Sequence, residues 1–344
     1  MDSLAKGHNR IKYIIVEAVL LTSCIALFLV SVCVGRYQIP VSDAVSVLFH
    51  QTDSLSTTVV SIVGNSRIPR AFAALLVGMA LAASGVSYQS VFTNPMAAPD
   101  VLGAASGSAC GAALGILLSS YDFVVQLMAF AFGLMAVLLT LSVSRIVSKG
   151  KSTVIYLILV GIVVTALFKS AISIVKYFAD VDNTLPAITF WLMGGLTNVT
   201  NEQLYLTAPI ILICLLLTFF MRWELNLLSF GDEEAMAMGV NVRAARVRII
   251  LTATFMSSAA ISICGLIGWV GIAVPHICRF VVGANTRYLL PVATLFGGIF
   301  VLIIDLIARM MLTVEIPLGI LTAVVGAPVF LWILFRGDFL GGGS

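Results

Sequence analysis

TVIYLILVGIVVTALFKSAISIVKY, residues 153–177, holds only Lys169 and Lys176 as charged side chains in 25 positions. A helix needs about 20 apolar residues to cross the hydrocarbon core of a bilayer, so this stretch is long enough to be a membrane span. Similar runs fall at Tyr13 to Val34, 67–92, 101–119, 122–144, 203–221, 247–268, 269–283, 288–311 and 316–335, ten in all, with 269–283 short for a crossing. Over its 344 residues the chain is 60% hydrophobic and 10% charged, with a mean hydropathy of +1.10. Soluble domains are about a quarter charged. The expected fold is an all-α polytopic membrane protein of about ten transmembrane helices, a single domain over residues 1–340, with Gly341-Gly342-Gly343-Ser344 reading as an appended linker.

The basic tail Lys6, Arg10 and Lys12 before the first run imitates a signal peptide, and Leu21-Thr22-Ser23-Cys24 loosely imitates a lipoprotein cleavage box. More spans follow, so the first run reads as an uncleaved helix. With that tail on the cytoplasmic side and the spans alternating, most Lys and Arg residues fall inside: Arg145, Lys149, Lys151, Arg222, Arg243, Arg246, Arg248, Arg279, Arg287 and Arg336. Cytoplasmic loops carry such an excess. Both termini are expected in the cytoplasm. The exceptions left outside are Arg36, Arg67, Arg70 and Arg309, with Lys176 near the outer end of the fifth run. Of these, Arg67, Arg70 and Arg309 suggest an outer patch that receives an acidic partner, against the alternative of lipid-headgroup anchoring.

Internal symmetry is readable as well. Arg67-x2-Arg70, then Pro99 and Gly107, returns as Arg243-x2-Arg246, then Pro275 and Gly283, at an offset of 176 (243 minus 67). The two copies begin spans that run in opposite directions, the signature of an inverted repeat. Gly103, Gly107, Gly111 and Gly115 recur every fourth residue and read as a helix-packing stripe rather than substrate contacts. Asn94, Pro95 and Pro99 should break the chain between the second and third spans, and Gly265 to Pro275 interrupts the second half similarly.

Chemistry-bearing constellations are missing from the sequence. His8, His50 and His276 are scattered, the six cysteines form no C-x-x-C and read as packing residues, and neither a catalytic nor a metal site is expected. A net charge of +3 gives no face for nucleic acid. Gly150-Lys151-Ser152 resembles the end of a phosphate loop, but Arg145 stands where its first glycine belongs. No bound cofactor is expected in this chain. The longest cytoplasmic loop contains Ser229, Gly231, Asp232, Ala235, Gly239 and Val240, which describe a short capped helix suited to docking a soluble partner. Asp305 and Arg309 stand one helical turn apart, as a structural pair or a proton relay, and Lys169 and Glu17 are further ionisable groups within spans.

Together these residues resemble the FecCD-type permeases of type II ABC importers, which include iron-siderophore, haem, cobalamin and some molybdate permeases. The resemblance rests on Arg67-Ile68-Pro69-Arg70, Gly85 with Gln89, Asn94 through Gly103, Gly268-Trp269-Val270-Gly271 through Arg279, and Glu315 through Phe330. It implies two such permeases, a homodimer or similar pair, in a bacterial or archaeal cytoplasmic membrane. It further implies two cytoplasmic ATPase subunits that hold ATP and Mg, and an outer binding protein that delivers substrate. By the same resemblance Arg67, Arg70 and Arg309 accept acidic residues of that binding protein, residues 227–245 seat in the ATPase, and the fifth span with Leu185 to Gly195 gates the pathway. Its cargo would be an iron chelate or a cobalamin-like compound. An ion-coupled secondary carrier, favoured by the inverted repeat alone, and a membrane receptor or scaffold are the alternatives.

Overall fold

The structure is a computed structural model that describes residues 2–51, 55–119, 121–149 and 153–335. The phosphate-loop fragment 150–152, Arg336 and the tail 341–344 lie outside them. In chain order the helices are α1 (Asp2–Cys33), α2 (Val41–Leu48), α3 (Thr57–Ile62), α4 (Ile68–Val91), α5 (Ala104–Leu118), α6 (Asp122–Ser148), α7 (Thr153–Phe178) and α8 (Thr184–Met193). The second half continues with α9 (Asn201–Phe220), α10 (Arg222–Leu228), α11 (Asp232–Ala237), α12 (Val242–Cys264), α13 (Val270–Val282), α14 (Thr286–Met310) and α15 (Leu318–Phe335).

Among the described residues there is no strand, and seven spans are long and apolar enough to cross a membrane. The apolar runs expected at 101–119, 269–283 and 316–335 are the shorter helices α5, α13 and α15, so all ten runs are helical. Four small helices went unread in the sequence: α2, α3, α8 and α10. The second span also starts earlier than expected, because α3 continues through a π-helical turn, Val63–Arg67, into α4 and makes one apolar rod from Thr57 to Val91.

Burial divides the spans. The windows of α4 and α12 are 83% and 72% buried, whereas those of α1 and α7 are 11% and 17% buried. The first pair forms the centre, and the second pair turns apolar faces such as Ile155, Leu159, Ile162 and Leu167 outward. Tyr88 of α4 and Thr254 of α12 share a buried hydroxyl–hydroxyl hydrogen bond of 2.8 Å between the two central helices.

The inverted repeat shows in the packing. Central helix α4, from the first half, packs on α13 and α14 of the second; α12, from the second half, packs on α5 and α6 of the first. Each half thus fills its core with the other half's helices. Both short helices start inside the bundle from a residue with left-handed backbone, Gly103 before α5 and Trp269 before α13. The irregular backbone ahead of α5 is covered by protein: Leu102 carbonyl accepts from Thr140 Oγ1 at 3.0 Å, and a Cβ on Gly161 would strike the Val101 carbonyl. Non-helical backbone at membrane depth is stable only when buried in this way.

Candidate functional site

Three sites along the bundle carry the polar chemistry. The first lies where α4 begins and α14 ends. Asp305 is fully buried on α14 and accepts from Arg70 Nε at 2.9 Å, while Arg309, one turn further on, approaches it at 3.7 Å. Arg70 reaches past Asp305 to Glu315, in the connector to α15, at 2.9 Å. Glu315 also accepts from Thr197 Oγ1 at 2.7 Å. Burial acts to raise the Glu315 pKa, but the hydrogen bonds from Arg70 and Thr197 outweigh it and hold the carboxyl below the usual glutamate range. Arg70 thus ties α4 to α14 and to the connector before α15, and through Glu315 the loop after α8 joins them.

The three arginines of the outer patch expected from the sequence are turned inward in the structure. Arg67, Arg70 and Arg309 are 5%, 8% and 5% exposed. Arg67 donates to the carbonyls of Val32, Cys33 and Tyr37, and Arg309 donates to Ser31 carbonyl at 2.6 Å and Ser31 Oγ at 2.8 Å. An unpaired charge in this position would be expensive, so the side chains turn inward to the carbonyls left open at the end of α1 and to Asp305. Counting charges located these residues at one end of the bundle but could not show which way they point. Beside the clasp opens a cavity of about 550 Å³, whose lining includes Arg70, Gln126, Asn183, Trp191, Thr197 and Glu315.

Next to that cavity three backbone segments lock together. Leu318 N–H donates to Gly194 carbonyl at 2.9 Å, and Gly195 N–H donates to Cys264 carbonyl at 2.8 Å. Side chains at Gly194, Gly265 or Gly319 would strike neighbouring carbonyls. The Leu185 to Gly195 segment is therefore mostly a helix, α8, whose end is tied to the start of α15 and the end of α12.

The second site is the crossing of the two interrupted spans. A Cβ on Gly271 would lie 3.4 Å from the Pro99 ring, and one on Gly85 would strike the Gly271 carbonyl. Gln89 donates to that carbonyl at 3.1 Å and accepts from Arg279. Pro99 and Pro275, paired by the sequence offset, differ locally: Pro99 opens a 3-10 turn before α5, and Pro275 lies within α13. Asn94 accepts from Met96 N–H at 2.9 Å and Thr93 has positive φ, so Asn94-Pro95 turns the chain after α4 as expected. The glycine stripe divides: Gly107, Gly111 and Gly115 press against α6, and Gly103 faces Val164 and Thr165 of α7.

The third site is the loop between α9 and α12, at the opposite end. Ala235 is fully buried, and α11 closes with a Schellman motif in which Gly239 N–H donates to Met236 carbonyl at 2.9 Å and Val240 N–H to Ala235 carbonyl at 3.0 Å. Gly231 and Gly239, at φ 121 and 84, provide backbone that favours glycine. Ser229 Oγ donates to Asn226 carbonyl at 2.7 Å, and Asn226 Oδ1 accepts from Thr286 N–H at 3.0 Å, fastening α10 to the start of α14. Asp232 accepts from Arg246 of α12. The sequence showed each residue of that pair but not the pairing, since 14 positions and a loop separate them.

The FecCD transport family model matches residues 23–336. The molybdate import permease MolB of Haemophilus influenzae is 35% identical over 311 residues, 89% of this chain and 91% of the relative. The Fe(3+)-citrate import permease YfmE of Bacillus subtilis is 36% identical over 334 residues, 96% of each. Among solved structures, an inward-facing metal-chelate-type ABC transporter superposes with a TM-score of 0.82 at 32% identity, covering 93% of this chain and 98% of that one. A buried arginine clasp at one end, two interrupted spans crossing at the centre and a glycine-bounded surface helix at the other end thus stand in a chain that belongs to the FecCD transport family of ABC importer permeases.

Proposed function

We infer that this permease carries an iron chelate, such as a siderophore or haem complex, or a cobalamin-like compound, inward across a cytoplasmic membrane. An outer binding protein delivers the cargo at the clasp end, and separate ATPase subunits, holding ATP and Mg, engage the α10–α11 loop at the other. Both termini lie in the cytoplasm, and a second copy covers outward apolar surface. The observation that carries this reading is α11 itself: a short, acidic-starting helix bounded by positive-φ glycines, which packs through Ala235 and leaves Glu233, Glu234 and Met236 exposed. Its negative first turn suits a soluble basic groove better than an anionic lipid surface.

An oxyanion is the second reading for the cargo, favoured by the molybdate permease relative. Mild-detergent purification of the tagged chain from its native host, with mass spectrometry of what copurifies, tests the assembly. A stoichiometric ATPase is expected; a chain that emerges alone, even after gentle crosslinking, overturns the reading. Proteoliposomes of the recovered complex, offered labelled ferric citrate, haemin, cyanocobalamin and molybdate in parallel, then decide the cargo. Uptake of molybdate alone would replace the chelate reading.

A further inference from the structure

Arg246 is the second-half counterpart of Arg70 in the sequence repeat, and the structure gives both the same task. Each sits near the start of a central helix and reaches a carboxylate on a neighbouring connector: Arg70 reaches Glu315, and Arg246 reaches Asp232 at 2.5 Å. The Arg246 side chain is 6% exposed and that of Asp232 is 43% exposed, so a buried cation on α12 anchors a half-exposed anion on α11. Asp232 is also the first residue of α11, where the helix dipole favours negative charge, and the carboxylate therefore serves two purposes. Around it Arg248 of α12 bonds Glu224 of α10 at 2.8 Å, but the Arg248 side chain is 59% exposed and solvent weakens that bridge. Besides Arg246, α11 is held by its buried Ala235, by packing on α10 and by backbone bonds at its ends.

We propose that Arg246 is a positioning residue for energy coupling: with Asp232 it forms a strut that makes α11 move with α12, so that force applied to the surface helix reaches the centre of the bundle. The path is short. From Arg246, α12 runs through Thr254, bonded to Tyr88 of α4, to Cys264, whose carbonyl holds Gly195 beside the clasp. Without the strut, the positive-φ glycines at 231 and 239 become pivots, and α11 can follow its partner while α12 stays behind. The inference rests on the reading that α11 meets an ATPase.

The test uses the complete complex in proteoliposomes, with C33S removing the half-buried native thiol and spin labels on M238C and V247C, both exposed positions flanking the strut. In the otherwise native chain one narrow distance is expected, unchanged between the nucleotide-free and ADP–vanadate-trapped states. R246Q and D232N should each lose that single distance in the trapped state, R246K should keep most of it, and R246Q/D232N should be no worse than either single change, as for one pair. D232N alters a half-exposed side chain, so its result stands even if R246Q fails to assemble. One narrow distance common to all variants in both states overturns the strut while leaving the importer reading intact. Failure of the ATPase to join the native chain overturns that reading and the strut together.

Discussion

Asp305 has no solvent exposure, and Arg70 and Arg309 converge on it from two helices. Removing one partner of a buried ion cluster leaves uncompensated charge and costs about 3–5 kcal/mol, more than the cluster itself contributes over a well-packed apolar substitute. Asp305→Asn keeps the shape and removes the charge, leaving Glu315 as the remaining carboxylate on Arg70. It should lower thermal stability in detergent by an amount of that order, while Lys169→Gln on the exposed face of α7 should stay within about 0.5 kcal/mol. Equal melting of D305N and the native chain would rule out the clasp as a structural element. The sequence disclosed only part of this cluster. Asp305 and Arg309 are legible as a pair one turn apart, but Arg70 is 235 positions from Asp305 and no local pattern links them. A charge tally assigns a side of the membrane, and whether a guanidinium faces solvent depends on acceptors elsewhere in the chain.

The long helices were legible because each is an apolar run, and α11 because glycines and an acidic start bound it; α2, α3, α8 and α10 were not, because their signals are local and mixed. α8, ten residues with Pro186 and two threonines, is too short to be distinguished from a loop lining, and α10 is separated from α9 only by Met221. The glycines of the stripe and of the α11 turn differ in what a side chain would meet. A Cβ on Gly111 collides with the Met128 carbonyl of α6, whereas Gly239 has open space around it and a φ of 84. Gly111→Leu should therefore force α5 and α6 apart and destabilise the fold by about 1–3 kcal/mol or more. Gly239→Ala meets only the left-handed backbone penalty of about 1–2 kcal/mol, confined to the end of α11. Thermal unfolding of both variants should show the larger loss in G111L; the reverse order would mean that the α5–α6 seam is loose and the α11 turn is central.

At the scale of the whole molecule, direction decides function. α4 begins at the clasp and α12 begins at the α11 loop, so the two central helices run antiparallel and the two ends of the bundle are chemically unlike. The clasp end gathers Arg36, Arg67, Arg70 and Arg309, but these are engaged by carbonyls and carboxylates of the same chain. The loop end presents Arg222, Arg243, Arg248 and Arg287 with the exposed acidic turn of α11. Because excess basic residues are retained in the cytoplasm, the loop end should lie inside and the clasp end outside. Asn198, exposed beside the clasp, and Met238, exposed beside α11, mark the two sides. Five native cysteines are buried and Cys33 is half-buried, so Cys33→Ser gives a quiet background for labelling. With a membrane-impermeant thiol reagent on intact cells stripped of any outer wall, N198C should be modified at once and M238C only after permeabilisation. Labelling in the opposite order would turn the protein over, place the α11 loop outside where no ATP is available, and remove the physical basis for an importer driven from that loop.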